Sequence, residues 1–208
     1  MNQPASHYFS RQDAPLASDE VVWISAAVCG VTLRFATGAG VFAKSGLDEG
    51  SRLLIETALQ SPPQPGARWC DLGCGWGALS CFVAATAPQA RVFGCDINAR
   101  AVALARRNAQ ENRLENAFFW CGDGLEAARD DFFDAVQCNP PVRAGNETIA
   151  RLFDGAFRCL KRGGTLWVVL RTAQGAKSWQ KRLAAQFGNC ETVAIESGYR
   201  ILQCKMQN

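Results

Sequence analysis

The sequence is poor in several things that would narrow its function quickly. It has one histidine, His7, and no Cys-x-x-Cys pair, so a zinc site would have few ligands to draw on. No apolar run is long enough to span a bilayer; Val21–Val31 is the best candidate and falls well short of the roughly 20 residues needed. The N-terminal MNQPASHYFSRQDAPLASDE is polar and carries no apolar signal segment. There is no internal repeat and no low-complexity tract. A strong charge of one sign is also missing. The net charge of +3 over 208 residues does not by itself argue for nucleic-acid binding, and it leaves room for a local basic patch. These absences lead us to expect no metal, no membrane partner and a cytoplasmic location.

Cysteine is abundant. The ten cysteines are Cys29, Cys70, Cys74, Cys81, Cys95, Cys121, Cys138, Cys159, Cys190 and Cys204. Most lie inside apolar runs such as WCDL, SCFVA and FGCDI, and read as small buried hydrophobes of a reducing cytosol. With 48% hydrophobic and 20% charged residues, the chain can build a substantial core. Its length fits one large domain or two small ones.

The first 20 residues read as an irregular arm. Val21–Ala27 and Val31–Ala36 are β-rich and flank a Cys29-Gly30 turn, a hairpin pattern. Thr37–Gly50 reads as a Gly-rich loop and Ser51–Gln60 as a helix. After the Pro-rich break at Ser61–Gly66, strands and helices alternate. Strands are expected at Arg68–Leu72, Arg91–Asp96, Ala117–Cys121, Asp134–Cys138 and Thr165–Arg171. Helices are expected at Gly77–Thr86, Ala99–Asn112 (with Asn98 as N-cap), Glu147–Leu160 (ended by Lys-Arg-Gly-Gly) and Ala176–Phe187. Glu191–Glu196 and Tyr199–Lys205 flank Ser197-Gly198, a closing hairpin. The pattern predicts an α/β fold with a doubly wound, seven-stranded, mostly parallel sheet and a small N-terminal β-hairpin extension. Residues 1–66 form an arm, hairpin and helix packed on the core, and residues 67–208 the core itself, one domain overall.

Two stretches carry chemistry. The first is Asp71-Leu72-Gly73-Cys74-Gly75-Trp76-Gly77, which leaves a strand and opens a helix. Glycines there let the backbone turn tightly and approach a ligand. Asp96 ends the next strand, where such folds place a carboxylate on ribose hydroxyls. The alternative is a structural turn. A pyrophosphate prefers bare backbone N–H groups at a helix N-terminus with no carboxylate nearby. Asp71 therefore argues for a cationic ligand such as S-adenosylmethionine.

The second stretch is Gln137-Cys138-Asn139-Pro140-Pro141-Val142-Arg143. Proline restricts the residue before it to extended conformations and fixes its own φ, so Asn139 and the Pro140 carbonyl are rigidly aimed. The strand ending at Cys138 should lie beside Arg68–Leu72, which puts Asn139 at the ligand-binding edge. Two acceptors there can hold the N–H groups of a planar amine and favour a more tetrahedral nitrogen. The alternative is a plain Asn-Pro turn.

DLGCGWG followed by NPP resembles the class I S-adenosylmethionine-dependent methyltransferases that act on exocyclic amines or amide nitrogens. The resemblance implies that Asp71, Gly73, Gly75 and Gly77 line the methionine end of the cofactor, that Asp96 holds its ribose, and that Asp123 lies near its adenine. HYFS at 7–10, FATGAGVFAKSGLDEGSRLL at 35–54, RGGTLWVV at 162–169 and GYRILQCK at 198–205 extend the likeness. Together they look like the small-subunit ribosomal RNA guanine-N2 methyltransferases of the RsmC type, over nearly the whole chain. Full-length members carry an additional N-terminal domain, so this chain resembles a stand-alone catalytic domain. Its implied partner is ribosomal RNA or the small ribosomal subunit. By the same likeness Asn139 and Pro140 are catalytic, and Pro141, Val142 and Arg143 face the substrate.

Val142 and Arg143 stand where the family has an aromatic and a histidine. That departure keeps an amide or small-molecule N-methyltransferase open, and also a silent methyltransferase-like domain that binds RNA or a protein. Phe35, Val41 and Phe42 are wall candidates over the cofactor, and Trp76 a cover for its methionine chain. Lys44 and Arg143 are candidate RNA contacts. Arg100, Arg106, Arg107 and Arg113 read as a solvated helix face, and His7 and Tyr8 as part of the arm.

Overall fold

The computed structural model describes residues 21–41 and 46–207. The expectations on His7, Tyr8, Phe42 and Lys44 lie outside the described residues.

Two antiparallel strands, β1 (Val21–Val28) and β2 (Val31–Gly38), form a separate hairpin. Its two-residue turn is Cys29-Gly30, both at positive φ (50° and 77°), the geometry that suits the twist of paired strands. Helix α1 (Glu49–Ala58) follows, and then the alternating region: β3 (Arg68–Leu72), α2 (Ala78–Thr86), β4 (Arg91–Asp96), α3 (Ala99–Glu111), β5 (Ala117–Cys121), β6 (Phe133–Cys138), α4 (Asn146–Cys159), β7 (Leu160–Arg171), α5 (Ala176–Phe187), β8 (Glu191–Glu196) and β9 (Tyr199–Lys205). The last seven strands form one sheet in the order β5-β4-β3-β6-β7-β9-β8, parallel except where β9 pairs with β7 and β8. The sheet is the expected doubly wound one, with β6 beside β3.

Each face of the sheet buries its own apolar cluster. One holds Phe35, Leu54, Ile55, Trp69, Phe82 and Val92 with the hairpin and α1 to α3. The other holds Leu72, Phe133, Val136, Phe153, Leu166 and Leu183 with α4 and α5. Seven cysteines are buried as expected; Cys29 and Cys121 are exposed and Cys190 is half-buried.

Two expected boundaries move. Helix α1 starts at Glu49 instead of Ser51, because Asp48 is its N-cap and its side chain accepts from the Ser51 N–H at 3.0 Å. Helix α4 stops at Cys159 and β7 begins at once. Leu160 is fully buried, and it leaves the helix to pair with Phe133 of β6. Lys161, expected at a helix end, instead pairs with Asp134 at 2.6 Å. The extra residues before Thr165 bulge out of register, and Gly164 fits there because a Cβ would lie 2.8 Å from the Lys161 carbonyl oxygen.

The arginines of α3 are not simply solvated. Arg106 donates twice to the Phe119 carbonyl, at 3.2 and 2.8 Å. Arg100 donates to the Ala39 carbonyl, and Arg107 lies 4.9 Å over the Trp23 ring. Hairpin strands have free backbone edges that must find partners, and this edge finds them on α3. Asn112 accepts from the Arg34 N–H (3.0 Å) and donates to the Arg34 carbonyl (2.7 Å). One turn earlier, buried Asn108 accepts from the Ala36 N–H (2.6 Å) and donates to the carbonyls of Ala36 (3.0 Å) and Trp76 (2.8 Å). Asn108 thus joins the hairpin to the glycine loop.

Asp71 ties β3 to α2. Its Oδ2 accepts from the Ser80 N–H (3.0 Å) and hydroxyl (2.7 Å), and the residue is 1% exposed. Burial pushes its carboxyl up to about 7 despite the Ser80 bonds, and the charge of Asp96 adds to the rise.

Two stability predictions follow from these contacts. Asn108→Ala leaves three buried backbone groups without their partner, each worth about 1–3 kcal/mol of desolvation. Urea denaturation should show a loss of at least about 2 kcal/mol, and a smaller loss would mean that water replaces the amide. Asp71 binds its proton more tightly folded than unfolded. Its contribution is therefore full below pH 4 and lost as pH rises to about 7, on the order of 4 kcal/mol over that window. Asp71→Asn cannot ionise, so its melting temperature relative to wild type should climb from about pH 4 to about pH 7 and level off above that. A pH-independent difference would contradict the raised value.

Candidate active site

Strand register builds the site. Leu72, the last residue of β3, pairs with Cys95 of β4 on one side and with Cys138 of β6 on the other. One step further along the three parallel strands stand Asp96, Gly73 and Asn139, side by side at the C-terminal edge where the chain order reverses. They line one cleft of about 390 Å³, together with Gly75, Trp76, Asp123, Pro140 and Pro141. The α1 entrance contributes Leu47, Asp48 and Ser51 to the same cleft, and α4 contributes Thr148 and Arg151.

The glycine loop is anchored backwards and open forwards. The N–H groups of Gly73 and Cys74 both donate to the Cys95 carbonyl at 2.9 Å, and the Gly75 N–H donates to Asp96 Oδ2 at 2.9 Å. Gly73 and Gly75 have φ of 78° and 54°, and a Cβ on either would meet nothing within 4 Å, so the backbone there is bare toward the cleft. Gly77 differs. A Cβ on it would lie 2.8 Å from the Ala105 Cβ, so this glycine serves the packing of α2 on α3 and does not line the cleft.

Asp96 uses one oxygen on Gly75 and the other on the Asn98 N–H (2.8 Å). Burial raises its carboxyl, while these two backbone bonds pull the other way. Both oxygens keep further acceptor capacity at the cleft wall. Asp71 sits behind the loop, outside the cleft lining, with its Ser80 bonds. Asp123 lines the cleft but is ion-paired to Arg151, which also lies 3.5 Å from Glu126. These groups are well exposed, so the pair is screened and contributes modestly.

Asn139 Nδ2 donates to Ser51 Oγ at 3.0 Å, which turns its Oδ1 away from that contact. The Pro140 carbonyl accepts from the Val142 N–H at 2.8 Å across Pro141 (φ −75°, ψ 77°), an inverse γ-turn that the proline ring favours. A carbonyl oxygen has two lone pairs, so one remains for a ligand. Val142 and Arg143 begin a short 3-10 turn. Val142 packs half-buried against the α4–α5 cluster, Arg143 is exposed, and neither lines the cleft.

Trp76 lines the cleft, is 4% exposed, and meets Phe35 edge-on at 4.9 Å. Phe35 itself is core, whereas Val41 reaches the cleft wall. Sequence reasoning missed Asp48, Ser51 and Arg151. Asp48 before an apolar periodic run is an N-cap signal that could have found α1's true start, and with it Ser51. Nothing in the sequence pairs Arg151 with Asp123.

Residues 32–203 match the family described as the methyltransferase small domain. The chain is 30% identical over 204 residues to the uncharacterized protein YbxB of Bacillus subtilis, covering 97% of this chain and 98% of that one. It is 33% identical over 196 residues to the ribosomal RNA small subunit methyltransferase C of Salmonella choleraesuis, 92% of this chain and 54% of that one. It is 37% identical over 170 residues to the ribosomal RNA large subunit methyltransferase G of Streptomyces avermitilis, 79% and 43%. The chain thus spans about half the length of these two rRNA methyltransferases. Among solved structures, the T. thermophilus 16S rRNA N2 G1207 methyltransferase, in complex with AdoMet and guanosine, shares the fold with a TM-score of 0.82 at 24% identity, covering 94% of this chain and 53% of that one. The chain belongs to the methyltransferase small domain family.

Proposed function

We propose that this protein is an S-adenosylmethionine-dependent N-methyltransferase that modifies the exocyclic N2 amine of a guanine in small-subunit ribosomal RNA. The observation that carries the reading is the row of Asp96, Gly73 and Asn139. It joins a cofactor-type loop to an aimed pair of acceptors in one cleft. The residues fit the cofactor: bare backbone at Gly73 and Gly75, a carboxylate at Asp96, and acidic surroundings suited to a cation. When bound, the cofactor supplies an electrophilic methyl on a sulfonium.

The chain's own residues do the rest. Asp96 accepts from the ribose hydroxyls. Asn139 Oδ1 and the free lone pair of the Pro140 carbonyl accept the two N–H groups of the guanine amine. That draws its nitrogen toward a tetrahedral shape with the lone pair facing the methyl. Backbone rigidity at Pro140 and Pro141 makes this a preorganised effect. Arg143, exposed beside the site, takes a phosphate of the RNA.

The small-subunit assignment draws on the Salmonella relative's name and the T. thermophilus structure's title; the Streptomyces relative is named for the large subunit. A second reading, a protein-amide or small-molecule N-methyltransferase, is favoured by Val142. It offers no ring for a base to stack on and turns its side chain to the core. Mass spectrometry of rRNA nucleosides from a deletion strain and its parent separates the readings. Loss of N2-methylguanosine from small-subunit rRNA is expected. Loss from large-subunit rRNA would move the substrate to the other subunit, and no change in any nucleoside would favour the second reading.

Two variants test the residue roles. Charge-assisted hydrogen bonds contribute about 1.5–3 kcal/mol each, so Asp96→Asn should weaken S-adenosylhomocysteine binding at least tenfold in calorimetry. Unchanged affinity would remove Asp96 from the ribose. Asn139→Ala should leave cofactor affinity within a few-fold and slow single-turnover methylation by about a hundredfold, the scale of losing one preorganised polar contact. Near-normal turnover would reduce Asn139-Pro140-Pro141 to a turn.

A further inference from the structure

Ser51 is a buried polar residue that the reading above leaves without a role. It is 4% exposed, lines the cleft, and its Oγ lies 3.0 Å from Asn139 Nδ2. A primary amide has two chemically opposite ends of nearly the same shape. With Oδ1 toward an amine it accepts; with Nδ2 toward an amine, two donors face each other. The prolines after Asn139 fix its backbone and leave rotation of the side-chain amide undetermined.

We propose that Ser51 is a positioning residue that fixes this rotation, holding Nδ2 so that Oδ1 faces the acceptor amine. The inference rests on the N-methyltransferase reading and deepens it. Ser51 is itself well placed to hold another group still. Its N–H donates to the N-cap carboxylate of Asp48 at 3.0 Å, at the first turn of α1. The preceding residue, Gly50, has no room for a side chain: a Cβ there would lie 2.6 Å from Tyr199 Cε1 of β9. The first turn of α1 is thereby pressed against the sheet, and Ser51 is fixed relative to the end of β6. The acceptor geometry of Asn139 is thus set from a helix almost ninety residues away in sequence, before the glycine loop begins.

The test uses the full chain, labelled with nitrogen-15. The side-chain NH2 signals of Asn139 are assigned by their absence in Asn139→Ala. In wild type they should be protected from solvent exchange, and Ser51→Ala should remove that protection. In single-turnover methylation, Ser51→Ala should lower the rate at saturating acceptor about ten- to a hundredfold. S-adenosylhomocysteine affinity and melting temperature should stay close to wild type. The double variant with Asn139→Ala should be no slower than Asn139→Ala alone, because the two residues act as one unit. Three results would overturn the proposal: unprotected amide protons in wild type, Ser51→Ala turnover within twofold of wild type, or losses that multiply in the double variant. If wild type methylates no RNA offered, the N-methyltransferase reading on RNA fails, and the amide signals alone still decide whether Ser51 holds Asn139.

Discussion

The constraint on which everything else depends is the parallel pairing of β3 with both β4 and β6, at a register that ends all three strands together. Side chains alternate along a strand, so a slip of one residue between β3 and β6 would send Asn139 to the wrong place and bring Pro140 level with Gly73. The register is held at the opposite end of the strands. There Asp134 of β6 accepts from the Arg68 N–H of β3 at 2.8 Å and from Lys161 Nζ of β7 at 2.6 Å. One carboxylate at the far edge therefore ties β6 to β3, two of the strands whose near edge carries the chemistry, and also to β7. Buried apolar contacts on both faces supply the stability, and the Asp134 contacts add a polar tie at this register.

The electrostatics of the cleft follow from burial. Asp71 and Asp96 are both taken out of water around the glycine loop, burial raises both carboxyls, and the charge of Asp96 adds to the rise at Asp71. The cation on this side of the site, Arg151, is committed to Asp123 and Glu126. Such a pocket repels a diphosphate and favours a ligand that brings its own positive charge. Binding that ligand would lower both carboxyls, so Asp71 also acts as the electrostatic floor of the pocket without lining it.

Much of the fold was legible because its signals are local. The two-residue turns at Cys29-Gly30 and Ser197-Gly198, the N-cap at Asn98 and the glycine loop are each written in a few adjacent residues. The β6 position followed from topology, since a doubly wound sheet must cross over at one point. What was not legible depended on distant partners. Gly77 looked like Gly73 and Gly75 in the sequence and differs from them because Ala105 packs against it. Lys161 and Arg162 looked like a helix end, but burial of Leu160 against Phe133 ended the helix earlier. Ser51 has no meaning until α1 is seen against Asn139, and Asn108 none until β2 is seen beside α3.

The most direct test of this account is a crystal structure of the protein with S-adenosylhomocysteine and guanosine. The account predicts ribose hydroxyls within hydrogen-bond distance of Asp96 and the methionine end over Gly73 and Gly75. It also predicts the guanine N2 between Asn139 Oδ1 and the Pro140 carbonyl, facing the sulfur. A cofactor seated away from the Gly73 loop, or an Asn139 amide pointing Nδ2 at the guanine amine, would contradict it.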